Sequence, residues 1–268
     1  MTDPAVPRDP GLQQIDSLRR VFTQGFSAAQ IAEPLRSFEA STPAAEIAEL
    51  MRQRTLSVVG VRQEGLVAGF FEPPDDPQGV CSDHLRPFDE AMVMPDSAPL
   101  DQVIQALDRE PRLFVRGFWQ IAGVIIRHDL QKAPVRMWLF GMLTLIEMRM
   151  TSQIEELYPQ DSWSEYLSAS RMEGARELLV ERQRRNQHLS LLDCLQFADK
   201  AQIFARCKEL RETTRYTSRK QLEKEAKRLQ RLRNNLAHSQ DIITTDWEAI
   251  LGLAESLDRV LVGPCQDG

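Results

Sequence analysis

The chain has 268 residues, enough for one large domain or two smaller ones. Its 42% hydrophobic and 27% charged residues are ordinary for a chain that buries its own core, and the net charge of −6 excludes a generally basic nucleic-acid coat while leaving room for a local basic site. Four cysteines, Cys81, Cys194, Cys207 and Cys265, form no C-x-x-C pair, which argues against a zinc site or a disulfide framework and for reduced thiols. The segment Met1 to Pro10 has no apolar core and does not read as a signal peptide. The longest apolar run, Met137 to Ile146, is short of the ~20 residues needed to cross a bilayer. It reads as a buried helix of a cytoplasmic protein without membrane contact.

In chain order, residues 1–24 stand as an N-terminal extension. Pro43 to Gln53 then places Ile47, Leu50 and Met51 on one helical face, with Thr42 as N-cap and Pro43 as first helical residue. Thr55 to Val61 and Gly65 to Phe71 read as a β-hairpin. The same order repeats. Ala98-Pro99 opens a helix with Val103, Ile104 and Leu107 on one face, Arg112 to Val115 and Phe118 to Ile126 are strands, and Arg127 to Leu130 starts the next helix. Gly69 in the first copy corresponds to Gly123 in the second.

This duplicated helix–strand–strand–helix unit, over residues 25–136, resembles a CBS pair (the cystathionine β-synthase, or Bateman, module). The resemblance is most specific at Gly123 to Arg136. In that family a strand-ending glycine is followed by Thr or Ser and then Asp, which together hold the ribose and phosphate of an adenine nucleotide. Here Asp129 stands at the Asp position with Ile126 in place of the hydroxyl residue. In the first copy Asp75 keeps the spacing from Gly69 and Glu72 replaces the hydroxyl. An anionic Glu72 would repel a phosphate. The alternative role for Asp75 and Asp129 is to cap the helix that follows.

From residue 137 to 268 glycine and proline thin out and the text reads as five helices, an all-α bundle. They are Met137 to Leu157, Trp163 to about Asn186 behind an Asp161/Ser162 cap, Leu191 to Leu210, Ser218 to Leu236, and Thr245 to Leu261. The fourth carries a stripe of Leu222, Ala226, Leu229, Leu232 and Leu236. The fifth opens with a Thr245/Glu248 capping box. The fold class expected is therefore two-domain: an α+β pair followed by an all-α bundle.

The fourth helix ends in RLRNNLAH, Arg231 to His238. Four residues separate Arg233 from His238, with Asn234 directly after the arginine. This resembles the R-x4–6-H signature of HEPN domains (higher eukaryotes and prokaryotes nucleotide-binding). The resemblance implies a metal-independent endoribonuclease that leaves a 2′,3′-cyclic phosphate. The residue types suit that chemistry: histidine titrates near neutrality and serves as base or acid, and arginine presents a fixed cationic fork to phosphate oxygens. Donors aimed at developing charge contribute roughly 3–4 kcal/mol each. Asn234 would orient the arginine or bond substrate. One histidine is too few for separate acid and base roles, and the resemblance implies a homodimer that brings two motifs into one cleft. Glu147 and Arg149 fall where related domains place a polar group facing the site; a surface salt bridge is the alternative.

Arg228 and Arg231, in a run rich in Lys and Arg, are candidates for an RNA backbone track; a solvated helix face is the alternative. The reading is thus a ribonuclease regulated by a CBS-like module, in bacterial defence or stress response, with RNA and an antitoxin or regulatory protein as partners. It needs no metal or cofactor beyond an adenine nucleotide at the pair. The competing reading is a non-catalytic interaction protein or adenine-nucleotide-sensing regulator.

Overall fold

The computed structural model describes residues 10–261. Cys265 lies outside them. In chain order the elements are α1 (Pro10–Gly25), β1 (Glu33–Pro34), β2 (Ser37–Glu39), α2 (Ala44–Gln53), β3 (Val59–Gln63), β4 (Leu66–Phe71), β5 (Val93–Pro95), α3 (Leu100–Arg109), β6 (Arg112–Gly117) and β7 (Gln120–Ile126). They continue with α4 (Ala133–Leu157), α5 (Ala169–Arg184), α6 (Phe197–Arg206), α7 (Lys208–Glu212), α8 (Arg219–Ala237) and α9 (Ile243–Leu261). Two compact units result. Residues 26–135 form an α+β unit, and residues 10–25 belong with 136–261 in a helical one. The α+β unit is therefore inserted in the helical unit, between α1 and α4.

The repeat seen in the sequence extends to register. In the first copy β2 pairs parallel with β3 and β3 antiparallel with β4; in the second β5 pairs parallel with β6 and β6 antiparallel with β7. Val61 faces Gly69 and Val115 faces Gly123, and both hairpins slip register immediately after that pair. The two copies also exchange an edge. β1, ahead of the first copy, pairs with β7 of the second, while Arg86, ahead of the second, bridges Phe70 in β4 of the first. The equivalent glycines explain themselves here. A Cβ on Gly69 would collide with the Arg86 carbonyl oxygen, and one on Gly123 would press on Ala32 and Val115 at 3.1 and 3.2 Å. The exchanged segment passes too close for any side chain. Phe70, Phe88 and Phe114 join the copies, with ring centroids 4.7 to 5.8 Å apart.

Several expected boundaries move, each for a local reason. Pro43 is extended (ψ 128) because it bridges Val80, so α2 begins at Ala44, and likewise α3 begins at Leu100 after Pro99. Thr55 turns with φ 54, which delays the first strand to Val59. Phe118 and Trp119, expected inside a strand, make the second hairpin's turn and stand 92% and 86% exposed.

In the helical unit α4 buries Trp138, Leu139, Met142, Leu143, Leu145, Ile146, Met150 and Ile154. Gly141 sits under Phe22 of α1, where a Cβ would enter the ring. Of the five expected helices, the second starts late and the third is broken. Gln160 and Asp161 both take φ 59, so Pro159–Tyr166 is a kinked 3-10 segment and α5 starts only at Ala169. Cys207 is extended (ψ 126), and its sulfur accepts from the Leu210 amide at 3.4 Å, which splits the third helix into α6 and α7. The cap of α9 is Asp241, whose Oδ1 accepts from the Ile243 and Thr244 amides at 2.8 and 3.3 Å, rather than the expected Thr245/Glu248 box. Ser218, expected as the first residue of the fourth helix, is instead the cap of α8: its Oγ accepts from the Gln221 amide at 3.3 Å.

Gly69→Ala should lower stability by about 1–3 kcal/mol, since the added methyl meets backbone that cannot move away. Gly174→Ala, in α5 with open space around it, should raise stability by about 0.5–1 kcal/mol through helix propensity. Urea denaturation of both variants checks the pair of signs.

Candidate functional site

Helix α8 exists because its apolar stripe faces the bundle: Leu222, Leu232 and Leu236 are buried, and Ala226 and Leu229 are half-buried. That registration leaves Arg233 at 43% side-chain exposure and turns Asn234 and His238 outward to solvent. His238 is the C-cap, and its amide donates to the Asn234 carbonyl at 3.0 Å. Arg136 at the start of α4 secures this last turn, donating to the carbonyls of Asn235 (2.9 Å), Leu236 (3.1 Å) and Gln240 (3.0 Å). The Asn235 and Leu236 carbonyls also accept from the Gln240 and Ser239 amides, at 2.9 and 3.4 Å, and the guanidinium adds a second donor to each at the helix end.

Glu147 of α4 comes to the motif. Its Oε2 lies 3.9 Å from Arg233 Nη2, and its Oε1 lies 3.3 Å from Nζ of Lys200 in α6. Lys200 is almost fully buried, with 5% side-chain exposure. Arg149, two residues beyond Glu147, is on another face. It lines a cavity of ≈ 70 Å³ together with Phe204, Tyr216, Leu222 and Glu225. Of the two α4 candidates, then, the structure brings Glu147 to Arg233 and takes Arg149 away.

The two expected RNA-track arginines are engaged inside the unit. Arg231 Nε bonds the buried Asp246 carboxylate at 2.7 Å, and its Nη2 donates to the Thr245 carbonyl at 2.5 Å. Asn235 holds the other Asp246 oxygen at 2.6 Å. Arg228 pairs with Glu225 and with Glu248. Both arginines fasten α8 to its surroundings, and Arg233 alone of the three keeps its guanidinium loosely held. Burial is also the main cause that raises the Tyr216 pKa above its ordinary value, with the neighbouring Glu225 carboxylate adding to it.

In the α+β unit Asp129 is a buried cap. Its Oδ2 accepts from the Ile126 amide at 2.7 Å and its Oδ1 is 2.9 Å from Lys132 Nζ, which also donates to the Ile31 carbonyl at 2.6 Å. The helix-capping alternative thus describes Asp129. Asp75 is not its counterpart. The exposed Asp75 lies in the loop between β4 and Val80, and the residue that repeats the Asp129 geometry is Asp83, which accepts from the Val80 amide at 3.0 Å. Counting from Gly69 missed this because the loop is longer in the first copy. Glu72 is not an unpaired anion either: it joins Arg86 and Arg112, one cation from each side of the hairpin end.

Sequence reasoning missed Lys200, Arg136 and Asp83. A buried lysine carries no mark in a helical pattern, whereas Asp83 could have been found by aligning VCSDHL with IRHDL. Among the described residues no group of His, Cys, Asp and Glu could hold a metal ion, and no helix is long and apolar enough to cross a membrane.

No family model matches this chain, and no curated protein matches it. Similar solved structures include an uncharacterized conserved protein from Pyrococcus horikoshii (17% identity over 40% of this chain and 90% of that one, TM-score 0.35). A conserved CBS-domain protein of unknown function from Thermoplasma acidophilum aligns over 43% of this chain and 75% of its own, at 13% identity and TM-score 0.35. The CBS-pair protein CBSX2 from Arabidopsis thaliana aligns over 42% and 96%, at 16% identity and TM-score 0.36.

Arg231→Ala should lower stability by about 1–3 kcal/mol, because it leaves the Asp246 carboxylate buried with only the neutral Asn235 and Thr245 side chains as partners. Arg233→Ala, which removes only a loose and half-exposed pair, should cost less than about 1 kcal/mol. Thermal and urea unfolding of the two variants separates the anchoring arginine from the displayed one.

Proposed function

We propose that this chain is a regulatory protein whose α+β unit is a CBS-like sensor of an adenine nucleotide and whose helical unit delivers the response. The observation that carries this reading is the duplicated unit with exchanged edges, in which a capping carboxylate, Asp83 or Asp129, recurs after each hairpin. A ligand site between the two like copies would suit a small molecule, since such sites lie where structural units meet. Insertion between α1 and α4 tethers the sensor to the helical unit at both of its ends. The chain's own residues constrain what would bind: both Asp129 oxygens are occupied, and Glu72 takes up Arg86 and Arg112, so base and ribose contacts would carry more than phosphate contacts.

A second reading concerns the response itself. The exposed Arg233, Asn234 and His238, with Glu147 beside the arginine, support a HEPN-type metal-independent ribonuclease. In that reaction the RNA 2′-oxygen attacks the adjacent phosphorus. A histidine takes the 2′-proton, the developing charge falls on Arg233, and the 5′-oxygen leaves with a proton from a second histidine. A homodimer would supply that second His238 by symmetry. RNA and a second copy of the chain are the partners this reading needs.

A ligand that binds only the folded state stabilises it by roughly 2.7 kcal/mol at a hundredfold excess over its dissociation constant. AMP or ATP should accordingly raise the melting temperature of the full chain by several degrees. No shift with AMP, ADP or ATP at millimolar concentration would reject the sensor reading. Independently, the purified protein should cut RNA in the presence of EDTA. His238→Ala should reduce that rate at least about a hundredfold while leaving the fold intact, as expected for loss of a general acid–base. Equal cutting by wild type and variant would reject the ribonuclease reading.

A further inference from the structure

Lys200 is unexplained by either reading. Burying an ammonium group is costly and happens only where a counter-charge is fixed beside it. Glu147 is that counter-charge, with 3.3 Å between Nζ and Oε1. The same carboxylate reaches Arg233 only at 3.9 Å and through a single nitrogen. A half-exposed arginine facing a carboxylate with nothing else to hold it would be expected to close into a two-pronged pair at about 2.7–2.9 Å. Here the buried lysine has first claim on the carboxylate. Two cations share one anion, and the surplus positive charge resides on the exposed member, Arg233.

We infer that Lys200 is a positioning residue: by holding Glu147, it keeps the Arg233 guanidinium open as a receptor for a phosphate-type oxyanion. The surroundings require such a device. Arg233 is on the last turn of α8, where the helix dipole presents its negative end and disfavours an incoming anion. A guanidinium neutralised by Glu147 could not overcome that. Lys200 does not touch the anion; it is buried, while Arg233, Asn234 and His238 are the groups on the surface. That the natural anion is an RNA phosphodiester rests on the ribonuclease reading. That Arg233 is an anion receptor kept open by Lys200 does not.

The test uses the full chain labelled with 15N-arginine, titrated with inorganic phosphate, and read at the Arg233 Nε–Hε resonance, which is assigned by its loss in Arg233→Lys. Wild type should show a saturable shift. Lys200→Met should weaken phosphate binding about tenfold, because Glu147 then closes on Arg233. Lys200→Met combined with Glu147→Gln removes both claimants and should return affinity to within about threefold of wild type. Rescue on deleting a second charged group is not what a merely structural lysine would give. A folded Lys200→Met variant with wild-type phosphate affinity overturns the inference. If that single variant does not fold, the double variant decides alone: near-wild-type affinity supports the inference, and a tenfold loss overturns it. RNA cleavage is measured separately, so an inactive wild type with a phosphate-responsive Arg233 would reject only the ribonuclease reading.

Discussion

The packing of Phe22 on Gly141 is the contact on which the architecture depends. It holds α1 to α4 across the whole of residues 26–135, and so makes one helical unit from chain on both sides of the α+β unit. An apolar groove runs where these helices meet, lined by Leu18 and Phe22 from α1, Met137, Phe140 and Leu145 from α4, and Leu236 from α8. Arg136, in the same groove, is bonded to the carbonyls that end α8. Of the two helices at this groove, α4 is the one bonded to the turn that carries His238.

Charge in the helical unit is divided between anchoring and display. The run of basic residues on α8 looks uniform as text. In the fold Arg228 and Arg231 are bound to carboxylates, Arg219 pairs with Glu223, and Arg233 is held at arm's length. The difference arises from the opposing helices. Asp246, with no side-chain exposure, requires a partner and takes Arg231. Glu147 also requires one, but its requirement is met from below by Lys200. A net acidic chain can present a cation at this point because the carboxylate beside it is already held by Lys200.

Much of this was legible from the sequence, and the failures have common causes. The repeat was readable because hairpin pairing needs alternating β-branched residues, and because Gly69 and Gly123 recur where an exchanged strand passes. The faces of α2, α3 and α8 followed from helical spacing, and the buried run in α4 from its length. What was not legible depends on long-range geometry. Asp75 was favoured over Asp83 because spacing from a glycine cannot register a longer loop. The helix expected at Trp163 is delayed to Ala169 after left-handed backbone at Gln160 and Asp161, and the helix expected through Cys207 breaks at extended backbone there, at residues whose type permits a helix. Phe118 and Trp119 read as strand by propensity, yet a tight hairpin placed them in the turn. Lys200 was invisible because only tertiary contact makes a lysine internal.

The proposed sensor reading requires that a nucleotide bound to the inserted unit be felt at the end of α8. Hydrogen exchange read by mass spectrometry, with and without saturating ATP, tests it most directly. The account predicts altered protection in α1 and in residues 233–240 as well as in residues 26–135. Changes confined to residues 26–135, with α1 and the motif turn exchanging as before, would contradict it.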